Sequence, residues 1–245
     1  MTNPVPYIIQ ENNITLFIND TVHTIHSSQL GYSKLLEYIK NNEWDKVEDY
    51  INPKKVIITQ GKGNIEIQGD TVFWKGKEFH SSLNTRLIKS FQDGFNIEPI
   101  VLFLENLKEN PSNRAVEELY GFLEKNNLPI TPDGHFLAYK KVTKDYKDIY
   151  SEKFDNSVGK IVEMERNEVD DRSENTCSHG LHFCSKGYLE HFGSMSSRTI
   201  VVKIHPKDCV SFPKDYNNSK GRCCRYEVIA EIDKPVEEEY LHEVA

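Results

Sequence analysis

Asn175-Thr-Cys-Ser-His-Gly-Leu-His-Phe-Cys-Ser-Lys-Gly-Tyr-Leu-Glu-His-Phe-Gly-Ser194 is the stretch on which the rest of the chain leans. It gathers two cysteines, three histidines and three glycines, in a chain with only five cysteines and nine histidines. Gly180-Leu-His-Phe-Cys184 reads as a buried strand entered through glycine, and Ser185 to Phe192 as a short amphipathic helix. The segment is either a chemical centre or the keystone of a second domain, and spacing alone does not choose between them.

The chain around it has the composition of a foldable polar protein, with 38% hydrophobic and 28% charged residues over 245 positions. That length suits one large domain or two ordinary ones. A net charge of −8 disfavours a nucleic-acid partner, because phosphate binding needs a basic surface. The local basic group Lys214, Lys220, Arg222 and Arg225 is expected to be a solvated loop. No run of about 18 apolar residues is present to span a bilayer, and the start, MTNPVPYIIQENN, lacks the pattern of a secretory signal. Residence in a cytoplasm follows, with the five cysteines as reduced thiols.

Outward toward the N-terminus, Ile14 to Ile18 and Thr21 to Ile25 read as a hairpin turning at Asn19-Asp20. Helices follow at Ser33 to Ile39 and around Trp44, Val47 and Ile51, from apolar spacing of three and four. Short strands are expected at Val56–Thr59, Ile65–Gln68 and Thr71–Trp74, then a helix carrying Leu83, Leu87, Ile88 and Phe91. Residues 97–122 read as two helices parted at Pro111, which suits a first turn and interrupts a continuous helix. After Pro129 the texture changes to strands: Phe136–Val142, Lys160–Met164, Thr199–Ile204 and Arg225–Ile232. The fold class is therefore α+β in two parts. Residues 1–128 form a mixed domain with a helical second half. Residues 129–245 form a mostly antiparallel β domain with short helices, ending in an acidic tail from Glu231.

Several strings resemble the rIIB proteins of T-even bacteriophages and related large phages. They are Phe103-Leu-Glu-Asn-Leu107 with Glu109-Asn-Pro-Ser112, and Phe154-Asp-Asn-Ser157 with Gly159-Lys160. Cys177 to Ser185, His191-Phe-Gly193, His205-Pro206 and Asp215-Tyr-Asn217 complete them, in family order over most of the chain. The resemblance implies a phage early protein in the host cytoplasm, acting with a larger rIIA-like partner and drawn to the inner membrane through it. The implied role is to prevent premature lysis, or exclusion by prophage and other host defences. T-even relatives carry a further helix-turn-helix-like segment ahead of the first hairpin. This sequence starts almost directly at that hairpin, so no DNA contact is carried over. The resemblance brings no catalytic residues and no cofactor, and it leaves open whether the chain self-associates.

Chemistry is weighed against that background. Cys177, His179, His182 and Cys184 offer four zinc ligand types in eight residues. Structural zinc sites more usually draw ligand pairs from two separated turns, so a packed strand is the preferred reading. Cys184 or Cys177 beside a histidine suggests a nucleophile, but sequence places no acidic residue to orient it and many such neighbours are merely packed. The order Leu137 to Lys141, Gly180 to Cys184, Arg225 to Ile229 is loosely similar to the strand order of ADP-ribosyltransferase-like folds. Under that likeness Tyr139 or Lys140, His182 and Glu227 converge on a bound NAD, the glutamate stabilising an oxocarbenium-like ribose. Tyr139, Tyr216 and Tyr226 with Lys140, Lys220 and Arg222 offer a related pocket that sequesters a nucleotide immune signal. The preferred reading is a non-enzymatic accessory protein, with a ligand pocket at Tyr139, Lys140, His182 and Glu227 as the alternative.

Overall fold

The computed structural model describes residues 4–18, 21–28, 32–51, 65–68, 71–74, 76–78, 84, 87, 97–126, 128–192 and 197–232. Two compact units divide the chain, residues 1–98 and 99–245.

In the first unit, β1 (Tyr7–Ile9), β2 (Asn13–Ile18) and β3 (Thr21–His26) form an antiparallel sheet in that order. The hairpin register sets Ile18 opposite Thr21 and Phe17 opposite Val22. Alternation along β2 sends Ile14 and Leu16 inward. They join Leu35 and Ile39 of α1 (Tyr32–Lys40) and Trp44 and Val47 of α2 (Trp44–Ile51) in one core. The opposite face carries Ile8, Phe17 and Val22, which are 50%, 42% and 60% exposed. A second small sheet joins β4 (Ile65–Gln68), β5 (Thr71–Trp74) and β6 (Lys77–Glu78). The strand expected at Val56–Thr59 lies outside the described residues. So does most of the helix expected around Leu83 to Phe91, of which Asn84 and Leu87 are described and helical.

The second unit opens with α3 (Glu98–Lys108) and α4 (Asn113–Asn126). Pro111 parts them as expected. The Ser112 hydroxyl accepts from the Ala115 N–H at 3.2 Å and caps α4. The side chain of Asn110 spans the joint: its amide donates to the Pro206 and Cys209 carbonyls at 3.0 and 2.9 Å. Its Oδ1 accepts from Arg166 at 3.0 Å.

These helices cover a seven-stranded antiparallel sheet made of β7 (Phe136–Val142), β8 (Ile161–Glu163), β9 (Leu181–Cys184), β10 (Arg198–Ile204), β11 (Cys209–Ser211), β12 (Lys220–Cys223) and β13 (Arg225–Ile232). The strand order is β11-β12-β9-β7-β10-β13-β8. Phe103 and Phe122 from the helices meet Phe136, Phe183 and Phe212 in a core of tilted and edge-on rings 5.0 to 6.5 Å apart. This packing is why α3 and α4 group with the sheet, whereas the texture of the sequence puts a boundary near Pro129.

The stretch Lys220–Cys223 departs from expectation. Lys220 and Arg222 are buried residues of a strand, not members of a solvated loop. Arg222 donates from Nε to Ser211 Oγ at 2.9 Å, and from its terminal nitrogens to the Asn175 and Arg172 carbonyls at 2.9 and 2.6 Å. Lys220 pairs with Asp215 at 2.7 Å. The segment after β9, expected as an amphipathic helix, is a 3₁₀ turn over Lys186–His191.

Candidate functional site

Strand β7 runs beside β10 through seven consecutive residue pairs, but meets β9 at one pair, Tyr139 with Cys184. Beyond that pair the strands part. Lys140 reaches across the gap and donates from Nζ to the His182 carbonyl at 2.9 Å. The gap opens into a cleft of about 310 Å³, walled by Lys140, His182, Tyr188, Phe192 and Lys220, with segments 148–154 and 176–180 at its rim. That volume lies at the lower end of the range for ligand pockets.

The rim is built from loop chemistry. Both oxygens of Asp148 are taken up by its own loop. Oδ1 accepts from the Phe154 N–H at 2.9 Å, and Oδ2 from the Ser151 N–H and hydroxyl at 2.8 and 2.6 Å. Those bonds help hold its carboxyl below the usual range, against burial, which acts to raise it. On the other side, Arg222 holds the chain ahead of the 176–180 rim through Arg172 and Asn175. Asp170 accepts from Asn175 Nδ2 at 2.6 Å and from the Arg172 N–H at 2.9 Å.

Lys140, Lys141 and Lys220 line the cleft, with Asp148 as the opposing charge. Burial depresses the pKa of Lys140, which is 5% exposed. Burial, then the charges of Lys140, Arg222 and Lys220, lowers His182 to about 3, so its imidazole is neutral at physiological pH. Lys220 is held protonated, its pKa raised by Asp215 against the opposing effect of burial.

Of the residues singled out by sequence, Lys140 and His182 come together here. Tyr139 packs with Leu137, Cys184, Leu189, Phe192 and Val201 and does not itself line the cleft. Glu227 is exposed on β13, opposite Lys203 and Ile161, and does not line the cleft. Cys177 and His179 lie on the rim, Cys184 in the core. Among the described residues no group of three or more His, Cys, Asp or Glu side chains is placed to hold a metal. The Cys184 thiol is fully buried and its pKa is pushed up, the reverse of an activated nucleophile. Arg222 and Tyr226 are buried and structural: the Tyr226 hydroxyl donates to Asn156 Oδ1.

Sequence reasoning did not assign Tyr188 and Phe192 to a site. Their rings lie 6.0 Å apart, and Tyr188 continues to Tyr216 at 5.0 Å and Tyr216 to His191 at 4.9 Å. The aromatic spacing inside Tyr188-Leu-Glu-His-Phe192 is the signal that was available.

Fold and cleft define an α+β protein with a seven-stranded antiparallel sheet, split at its centre around a buried lysine. The family model described as Bacteriophage T4 protein rIIB matches residues 1–240, and the chain belongs to that family. It is 41% identical to Protein rIIB of Enterobacteria phage T4 over 212 residues, covering 86% of this chain and 68% of that protein. No solved structure matches. Among the described residues no helix is long and apolar enough to cross a membrane.

Proposed function

We propose that this protein is a non-enzymatic phage accessory protein that works by binding a larger rIIA-like partner, protecting the infection against premature lysis or exclusion by host and prophage defences. Family membership supports the biological role. The observation that carries the partner-binding reading is the outer face of the first sheet. There Ile8, Phe17 and Val22 stand exposed on adjacent strands, Phe17 directly opposite Val22. Contiguous exposed apolar side chains of this kind mark interaction surfaces more often than chance. The protein acts in the host cytoplasm and reaches the inner membrane through its partner.

The test is complementation of a phage lacking this protein, scored by plating on a restrictive host. The double variant Phe17→Asp with Val22→Asp is expected to lose protection while keeping the wild-type circular dichroism spectrum. Glu227→Ala is expected to protect fully. Full protection by the double variant sinks the docking-face reading.

A further inference from the structure

We infer that the cleft between β7 and β9 binds a small anionic ligand bearing a flat ring, of the nucleotide class, with Lys140 receiving the anionic group and Tyr188 and Phe192 the ring. This goes beyond the partner-binding reading and does not depend on it.

Burying an ammonium is costly unless a counter-charge or hydrogen bonds offset it. Lys140 makes one hydrogen bond, to the His182 carbonyl, and among the described residues no carboxylate lies within ion-pair distance of Nζ. The Phe192 and Tyr226 rings, with centres 5.7 and 5.8 Å from Nζ, offset part of the cost. Among the described residues two of the three ammonium hydrogens meet no acceptor, although the side chain is nine-tenths buried and lines a cavity. An anion entering that cavity supplies the missing acceptors and counter-charge.

Lys220 stands on the same wall, although its own ammonium is already paired with Asp215. Asp148 is the opposing charge, and its two oxygens are committed to Ser151 and Phe154. His182 is neutral and adds no charge of its own.

Phe192 and Tyr188 line the cleft, and Tyr188 meets the exposed Tyr216. Tyr216, Asn217 and Asn218 all sit in the left-handed backbone region, at φ of 47, 59 and 56°. Three successive residues without glycine in that region are costly. Asn126 of α4 helps fix them by donating to the Asn218 carbonyl at 3.0 Å. Flat rings beside a buried cation suit a ligand that is both aromatic and anionic.

Isothermal titration of the full chain with AMP, NAD, adenosine and inorganic phosphate tests this. AMP or NAD is expected to bind at least about tenfold more tightly than adenosine or phosphate. Lys140→Met and Tyr188→Ala are each expected to weaken that binding by about tenfold or more, with near-UV circular dichroism unchanged. Glu227→Ala, outside the cleft, leaves it unaltered. Failure of both nucleotides to bind at about 1 mM overturns the proposal, as does equal binding by a folded Lys140→Met protein. Phosphate binding as tightly as AMP overturns the assignment of the ring.

Discussion

The ammonium of Lys140 donates a 2.9 Å hydrogen bond to the main-chain carbonyl of His182, across the point where β7 and β9 stop pairing. A side chain thereby replaces the ladder bonds that the diverging strands no longer make. It also brings a charge into the middle of a sheet, where an uncharged residue is cheaper. The stability of the protein should carry the mark of that charge.

Lys140→Met removes a buried charge of similar length to its replacement. Such changes are commonly neutral or stabilising by about 1–4 kcal/mol. The pKa of Lys140 is depressed in the fold, so below its ordinary 10.5 the unfolded chain binds more protons than the native one. Wild-type stability at this site therefore rises with pH until that range is passed. Urea melts should show the variant's advantage shrinking as pH climbs toward 10.5.

His182 titrates at about 3 in the fold and near 6.5 when unfolded. Between those values the unfolded state takes up a proton that the native state refuses, so stability is lost as pH falls through this window. His182→Gln should recover on the order of 2 kcal/mol at pH 4 relative to its effect at pH 7. Parallel acid-denaturation curves for wild type and variant check it, and curves of identical slope contradict it.

Tyr226 and Asn156 are both buried and bonded to each other. Tyr226→Phe keeps the ring and removes the donor, leaving Asn156 Oδ1 without that partner. A loss of about 1–3 kcal/mol is expected from thermal unfolding.

Gly134 has φ of +73°, and a Cβ there would stand 2.5 Å from the main chain of Leu102 and Phe103 in α3. Asn106 of the same helix donates to the Asp133 and Gly134 carbonyls at 3.0 and 2.9 Å, so the helix cannot easily move away. Gly134→Ala combines backbone strain with overpacking and should cost more than about 2 kcal/mol. Soluble yield and chemical denaturation provide the readout.

Strands β7, β10 and β13 were legible because Phe136–Val142, Arg198–Ile204 and Arg225–Ile232 are long, β-branched or aromatic, and bounded by polar turns. Strand β12 was not. Lys220-Gly-Arg-Cys223 has the composition of a loop, and its burial depends on partners outside the stretch: Asp215 and Ser211 just ahead of it, and Arg172 and Asn175 far back in the chain. No local pattern reports such partners. The packing of α3 and α4 on the sheet was not legible for a similar reason: both helices look self-contained until Phe103 and Phe122 are seen against Phe136. Tyr139 or Lys140, His182 and Glu227 were named together through a likeness of strand order to ADP-ribosyltransferase-like folds, and of these Lys140 and His182 line one cleft. Glu227 was not separable from them, because which strand lies beside which is a property of the sheet and not of any one strand.

The central claim, action through a larger protein partner, is tested most directly by native mass spectrometry of the tagged chain recovered gently from infected cells. A complex of fixed stoichiometry with one larger phage protein is predicted, and the Phe17→Asp, Val22→Asp variant should be recovered without it. Recovery of the wild-type chain alone, or with no phage protein in fixed ratio, contradicts the account.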